Sequence, residues 1–286
     1  IRVTSSPAFT MSAPNAAPFA PVPSIAIFLS DMLMHSSPPN PHPTRSRPAF
    51  TATYAAAEQE PVRHAEPAPH RFAVLVSGED RHNNWEPLPP PPRVVGRPYV
   101  GPEPQPVVAT TAPAPLERLT CEQWRQFEED GFLRLGQLCS PTVLEGLRSR
   151  IDAIMLGELV YPGLYMQVCP SATGSWEASN TLTNKPPTLA YRKIMGLEQD
   201  EVFREYIRLP IFRDVTAGTC GEHVGIVRAM FFNKPKEQGK EIDWHQDREG
   251  PNNLPKLRET DGNCTIWTAL DPCTADSAPL QVVRGS

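Results

Sequence analysis

A histidine and an aspartate stand one residue apart in Asp243-Trp244-His245-Gln246-Asp247. On a strand, side chains at i and i+2 share a face. At roughly 3.3 Å per residue, the two Cα atoms lie about 6.6 Å apart. An imidazole and a carboxylate can then converge on one ion, with Gln246 facing away. Two histidines and one carboxylate, with coordination positions left open, form the ligand set of non-haem iron oxygenases. His245 and Asp247 would supply two of the three. His223 is the only other histidine in the C-terminal part, and it precedes the strands expected to carry a site. His35, His42, His64, His70 and His82 are scattered among prolines, and that setting reads as solvated rather than metal-bound.

The elements that must position this pair are unevenly distributed. Of 35 prolines, 24 fall in residues 1–115, which divides the chain near residue 115. Residues 1–115 read as a disordered Pro/Ala/Ser-rich tail. Its run Pro89-Pro90-Pro91-Pro92 favours polyproline II, so the tail could engage a protein partner, although a plain linker is the simpler reading. Residues 1–57 have the composition of a transit peptide, leaving a cytoplasmic or an organellar location open, and a start at Ile1 rather than Met suggests that the N-terminus is incomplete. Net charge is −5, without the basic excess that nucleic-acid binding needs. No apolar run is long enough to span a membrane. The six cysteines all lie after residue 115 and form no CxxC pair, which argues against a zinc site and for free thiols.

Residues 116–286 carry the folding signals. Thr120 and Gln123 make a capping box, Trp124 and Phe127 share a helical face, and Gly131 ends that helix before a short strand at 132–135. Ser140-Pro141 opens a second helix, with Leu144, Leu147, Ile151 and Ile154 on its buried face. Residues 200–207 predict a short helix. Strands are predicted at 225–232, 242–247, 264–270 and 280–283, with residues 233–240 joining the first two as a hairpin-like turn. Trp244 would give the second strand an apolar wall, and Arg228 and Asp271 are candidates to pair across strands. The irregular stretches 157–190 and 248–263 are long enough to be functional loops. The pattern is α+β: an antiparallel jelly-roll barrel with helices packed outside it.

An H-x-D tripeptide alone is weak evidence, but its neighbours extend it. Tyr191-Arg192-Lys193-Ile194, Arg228-Ala229-Met230-Phe231, Trp244-His245-Gln246-Asp247 and Trp267-Thr268-Ala269-Leu270-Asp271 together resemble the phytanoyl-CoA dioxygenase family over residues 118–286. That resemblance implies a cupin-like double-stranded β-helix that binds Fe(II) and takes 2-oxoglutarate as co-substrate. It implies that His245 and Asp247 are metal ligands, that Lys193, Met230 and Trp267 line the 2-oxoglutarate pocket, and that Gln246 sits beside the site. The reaction implied consumes O₂, releases succinate and CO₂, and hydroxylates a C–H bond of a small-molecule substrate. A carboxylate at 247 favours hydroxylation over halogenation, since related halogenases have a small residue there.

The same resemblance implies a distal histidine as third ligand and a following arginine for the far carboxylate of 2-oxoglutarate. Both are expected beyond Ser286, so the chain reads as a partial domain whose barrel is open at its C-terminal end and whose iron binding is weak. Two alternatives stay open on the residues. One is an inactive barrel serving as a binding module. The other is a cupin-like metal enzyme that does not use 2-oxoglutarate. Taken singly, Lys193 also reads as a surface lysine, and Met230 and Trp267 as core residues.

Overall fold

The computed structural model describes residues 26–58, 74–81, 93–94, 118–169, 186–236, 241–247 and 263–286. The proline run at 89–92, residues 170–185 of the first long loop and residues 248–262 of the second lie outside these residues. Strand formation begins inside the segment expected to be a tail. Ala26–Ser30 forms β1, His35–Ser37 β2, Arg47–Ala56 β3 and Val74–Ser77 β4. The expectation of a disordered tail therefore fails for residues 26–57. The local reason is visible in the residues. β1 presents Phe28 and Leu29 to the core, and β3 presents Phe50 and Tyr54, aromatic types that suit a pleated, buried surface. Small residues Ala49, Ala52 and Ala55 are also fully buried, so neighbouring strands pack closely over them.

The expected helices and strands of residues 116–286 recur, but the stretch 157–190, read as irregular, also carries strands at Leu159–Val160 and Tyr165–Val168, and Tyr191–Met195 is a further strand that was not expected. Arg93–Val94 (β5) pairs with Leu159–Val160 (β7). Helix α1, Cys121–Asp130, has the capping box at Thr120 and Gln123, and it ends on Gly131 at φ 76°. Any Cβ at Gly131 would meet Leu33 Cδ1 at 2.9 Å. Strand β6 is Phe132–Gly136, and α2 is Pro141–Met155 with Ser140 as cap. Then come β8 (Tyr165–Val168), β9 (Tyr191–Met195), α3 (Glu201–Tyr206) and α4 (Pro210–Cys220). Helix α4 was not anticipated: Pro210, read as a stop, sits in its first turn, where a missing N–H costs nothing. The last strands are β10 (Val224–Lys234), β11 (Ile242–His245), β12 (Asn263–Ala269) and β13 (Gln281–Val282).

The sheets are antiparallel, and the N-terminal strands lie inside them. The larger sheet has the order β6-β1-β12-β3-β10-β9-β8, with β4 also on β10, and the smaller has β11-β2-β13. Thus β1 separates β6 from β12, β3 separates β12 from β10, and β2 joins β11 to β13. Among the described residues, the sheet neighbours of strand β12 are β1 and β3. Strands from the N-terminal side thus take central places in both sheets, where the later strands alone had been expected. The hairpin reading also fails, because β10 and β11 belong to different sheets. The apolar faces of α1, α2 and α4 pack on the larger sheet's core, with Phe127 stacked on Phe28 at 4.1 Å between ring centroids.

Candidate metal and keto-acid site

The smaller sheet brings two histidines side by side. His35 opens β2 and His245 closes β11, and they are paired in register. Their ring centroids are 4.2 Å apart. Each ring is anchored in the same way. His35 Nδ1 lies 2.9 Å from the carbonyl of Leu33, and His245 Nδ1 lies 2.7 Å from the carbonyl of Asp243. A carbonyl only accepts, so each Nδ1 carries the proton and donates it, leaving each Nε2 with a free lone pair. Both Nε2 atoms face Asp247 Oδ1, each at 4.0 Å. The second carboxylate oxygen is held separately, accepting from Thr265 Oγ1 at 3.2 Å, and Thr265 in turn bonds Thr53 at 3.0 Å.

His35, His245 and Asp247 form a group whose ligand atoms lie within 4.8 Å of one another. An ion about 2.1 Å from each donor, the usual N/O bond length of a first-row metal, spans the 4.0 Å gaps. Burial lowers the pKa of His35 from 6.5, only partly opposed by Asp247. A neutral imidazole is the form a metal requires. The donor set, the tautomers and the charge state therefore fit a divalent metal with open positions.

A cavity of about 260 Å³ extends from this group between the two sheets. Lys193, Met230 and Trp267 line it, as do His245 and Asp247. Burial, reinforced by Arg228 and Arg192, pulls the Lys193 ammonium down to about 8. Trp267 and Met230 are buried and serve as both core and cavity wall. Gln246 points out of the cavity, and its amide donates to the carbonyl of Met32, just before His35. Trp244, expected as an apolar wall, is 49% exposed. Arg228 does not pair with Asp271, which instead meets Arg148 at 2.9 Å, and Arg228 turns to Asp247 at 3.8 Å. His223 accepts from the backbone of Glu79 and takes no part.

Away from the histidines, the cavity wall includes Arg47, 2% exposed. Its Nε donates to the carbonyl of Ala278 and its Nη2 to Ser37 Oγ, both at 3.1 Å. Its buried Nη1 has no partner among the described residues. The guanidinium lies 5.4 Å from the Trp267 ring centre. Burial lowers its pKa only to about 10, so it stays charged at neutral pH. A buried cation with an unused donor is a ready partner for a ligand carboxylate.

His35 and Arg47 are the two residues that the sequence analysis missed. A histidine and an arginine were expected beyond Ser286; the structure brings His35, and Arg47 twelve positions after it, to the cavity from the N-terminal side. The binding-module alternative rested on the lack of a second histidine, and a His-His-Asp group is present. A signal was available: the apolar run at 26–29 and the aromatic and β-branched residues of 50–54 flank the His-to-Arg interval. Proline density masked it.

Comparison with known proteins agrees with the geometry. A family model described as Phytanoyl-CoA dioxygenase (PhyH) matches residues 127–286. The peroxisomal phytanoyl-CoA dioxygenase of Mus musculus is 25% identical over 169 residues, which cover 59% of this chain and 47% of the relative. The Homo sapiens protein of the same description is 24% identical over 168 residues, covering 59% and 47%. The chain thus spans about half the length of the curated relatives it matches. No solved structure matches it. No helix among the described residues is long and apolar enough to cross a membrane.

Proposed function

The chain belongs to the phytanoyl-CoA dioxygenase family, and from that premise we propose that it is an Fe(II)- and 2-oxoglutarate-dependent dioxygenase. It hydroxylates an aliphatic C–H bond of a small organic substrate. The observation that carries this reading is the placement of two anchored histidines and one carboxylate in the same cavity as a buried arginine with an unused donor. His35, His245 and Asp247 would hold the iron. Arg47 would take the far carboxylate of the keto acid, with Lys193, Met230 and Trp267 shaping that end. When bound, Fe(II) and 2-oxoglutarate supply the O₂ chemistry, in which the keto acid leaves as succinate and CO₂ while one oxygen atom enters the substrate.

The protein's own part is preorganisation. The carbonyls of Leu33 and Asp243 fix both imidazole planes and, in the neutral rings, leave Nε2 as the nitrogen turned to the site. Thr265 holds Asp247 so that Oδ1 alone faces the histidines. Outer partners of this kind typically contribute about 10–100-fold in metal affinity or activity. The trio Arg47, Ser37 and Ala278 fixes the keto-acid end before any ligand arrives.

The test is succinate formation from 2-oxoglutarate with Fe(II) and O₂, alongside Mn(II) binding followed by electron paramagnetic resonance. His35→Ala and His245→Ala should each lower succinate formation by at least about 100-fold, beyond typical outer-partner effects, and both should weaken Mn(II) binding. Metal binding without succinate would favour a metal enzyme that does not use the keto acid. Absence of both would leave a binding module.

A further inference from the structure

We propose that Arg228 holds a free carboxylate of the organic substrate beside the metal group, so that the enzyme acts on small aliphatic acids. This rests on the dioxygenase reading above and adds a substrate class to it. The cavity is lined by four basic side chains, Arg47, Arg192, Lys193 and Arg228, and among its described lining residues Asp247 is the single acid. Three of the four have an evident use. Arg47 is bonded to Ser37 and Ala278 and keeps one donor for a ligand. Arg192 donates to Gln167 and stacks on Phe232. Lys193 sits where the keto acid is expected.

Arg228 is different. It makes no hydrogen bond to any described residue, and its buried Nε has no partner. Its one ion-pair partner among the described residues is Asp247, with Nη2 3.8 Å from Oδ1. That oxygen is the one facing both histidines. A divalent ion placed there neutralises the charge Arg228 relies on. A largely buried guanidinium would then lie beside a cationic centre, which is unfavourable unless an anion arrives with the ligand. The two carboxylates of 2-oxoglutarate are already assigned, one to the metal and one to Arg47. That leaves the charge of Arg228 for an anion brought by the substrate.

The backbone aims Arg228 for this purpose. The pairing of β10 with β3 shifts register between Ile226 and Arg228. Such an irregularity re-aims the following side chain. After it, Arg228, Met230 and Phe232 alternate onto one face and all reach the cavity. With Ile242 and Leu280 also lining the cavity, the walls suit an aliphatic chain attached to that carboxylate.

The experiment uses the full chain loaded with Mn(II) and 2-oxoglutarate, a combination chosen to avoid turnover. Straight-chain carboxylates from butanoate to decanoate are titrated by calorimetry against their matched primary amides. At least one acid should bind about tenfold tighter than its amide, as a charge-assisted pair with arginine predicts. Arg228→Gln should erase that preference, Arg228→Lys should keep part of it, and 2-oxoglutarate affinity should change less than about threefold in both. If no acid is preferred over its amide, the proposal is overturned. It is also overturned if Arg228→Gln weakens 2-oxoglutarate about tenfold and leaves the acid preference intact, since the arginine then serves the keto acid. Failure of the wild-type protein to bind Mn(II) or 2-oxoglutarate would instead overturn the underlying dioxygenase reading.

Discussion

The strands of residues 26–56 and those of residues 224–282 interleave in both sheets, yet they are built from different material. Two of the later strands are long and apolar, since β10 reads VGIVRAMFFNK and β12 is buried at all seven positions, while β11 and β13 are short. The earlier ones are short, or rich in alanine and threonine, and the loop after β2 holds Pro38, Pro39, Pro41 and Pro43. That loop is fixed by side chains rather than by a ladder. Lys234 Nζ donates to the carbonyls of Ser37 and Pro38, both at 2.8 Å, and buried Asn40 donates to the carbonyls of Arg45 and Lys234. Proline lacks an N–H, so polar side chains from both regions take over the bonding. A segment of low-complexity composition can thus be a central part of a sheet when a partner sequence supplies the apolar surface and the donors. The catalytic candidates divide along the same line, with His35 and Arg47 from one region and His245 and Asp247 from the other.

The sharpest way to break this comparison is to remove one side of it. A chain beginning at residue 58 loses β1, β2 and β3, so β12 loses both neighbours and the link between β11 and β13 disappears. It also loses Phe28, Leu29, Leu33, Phe50 and Tyr54 from the core, each worth about 1.5–3 kcal/mol on burial. That sum rivals the whole stability of a typical domain. The shortened chain should show no cooperative thermal unfolding, and a peptide covering residues 26–58 should restore both folding and Mn(II) binding. A cooperative transition at the wild-type temperature would show that the earlier strands are decoration.

A smaller change tests what the earlier region contributes to ligand binding. Arg47→Ala removes the charged donor from the cavity and strands the Ser37 and Ala278 acceptors. The 2-oxoglutarate dissociation constant should rise about 10–100-fold, in line with roughly 1.5–3 kcal/mol for a charged hydrogen bond. Mn(II) affinity should be nearly unchanged. Equal loss of both would mean that Arg47 acts on the fold and not on the keto acid.

The two regions can also be separated by pH. His35 is buried and its pKa is lowered from 6.5 by that burial. The folded chain therefore holds fewer protons at this ring than the unfolded chain does, and stability contributed here falls as pH drops below about 6.5. Without metal, the melting temperature should decline between pH 7.5 and 5, and His35→Gln should flatten that decline. An unchanged slope in the variant would assign the acid sensitivity to other groups.

Most of the later region was legible in the sequence because its signals are local. Thr120 with Gln123, Ser140 with Pro141, and the apolar spacing of α2 each fix an element within a few residues. His245 and Asp247 were legible because their spacing matches the geometry of a strand. His35 and Arg47 were not, because what brings them to the candidate site is non-local. His35 acquires its place from a pairing 210 positions away in the chain, and Arg47 from Trp267 and Ala278. Sheet membership was misread for β10 and β11 for the same reason, since a short polar connection is compatible with a hairpin or with a crossing between sheets.

The mildest probe is the bond that joins the regions beside the metal group. Gln246 lies between His245 and Asp247, and its amide donates to the carbonyl of Met32, three residues before His35. Gln246→Ala removes one exposed hydrogen bond, worth about 0.5–1.5 kcal/mol at most, and a shift of only a few degrees in melting temperature. The effect on the site should be larger than the effect on the fold, because this bond ties the end of β11 to the turn at Met32 that leads into β2 and His35. Mn(II) affinity should fall by about 10-fold, the lower end of what an outer partner contributes. Trp244→Ala, which alters the exposed neighbour on the same strand, should leave Mn(II) affinity unchanged. If the two variants behave alike, the Gln246 bond is incidental, and the alignment of the two histidines is set by the β2–β11 ladder alone.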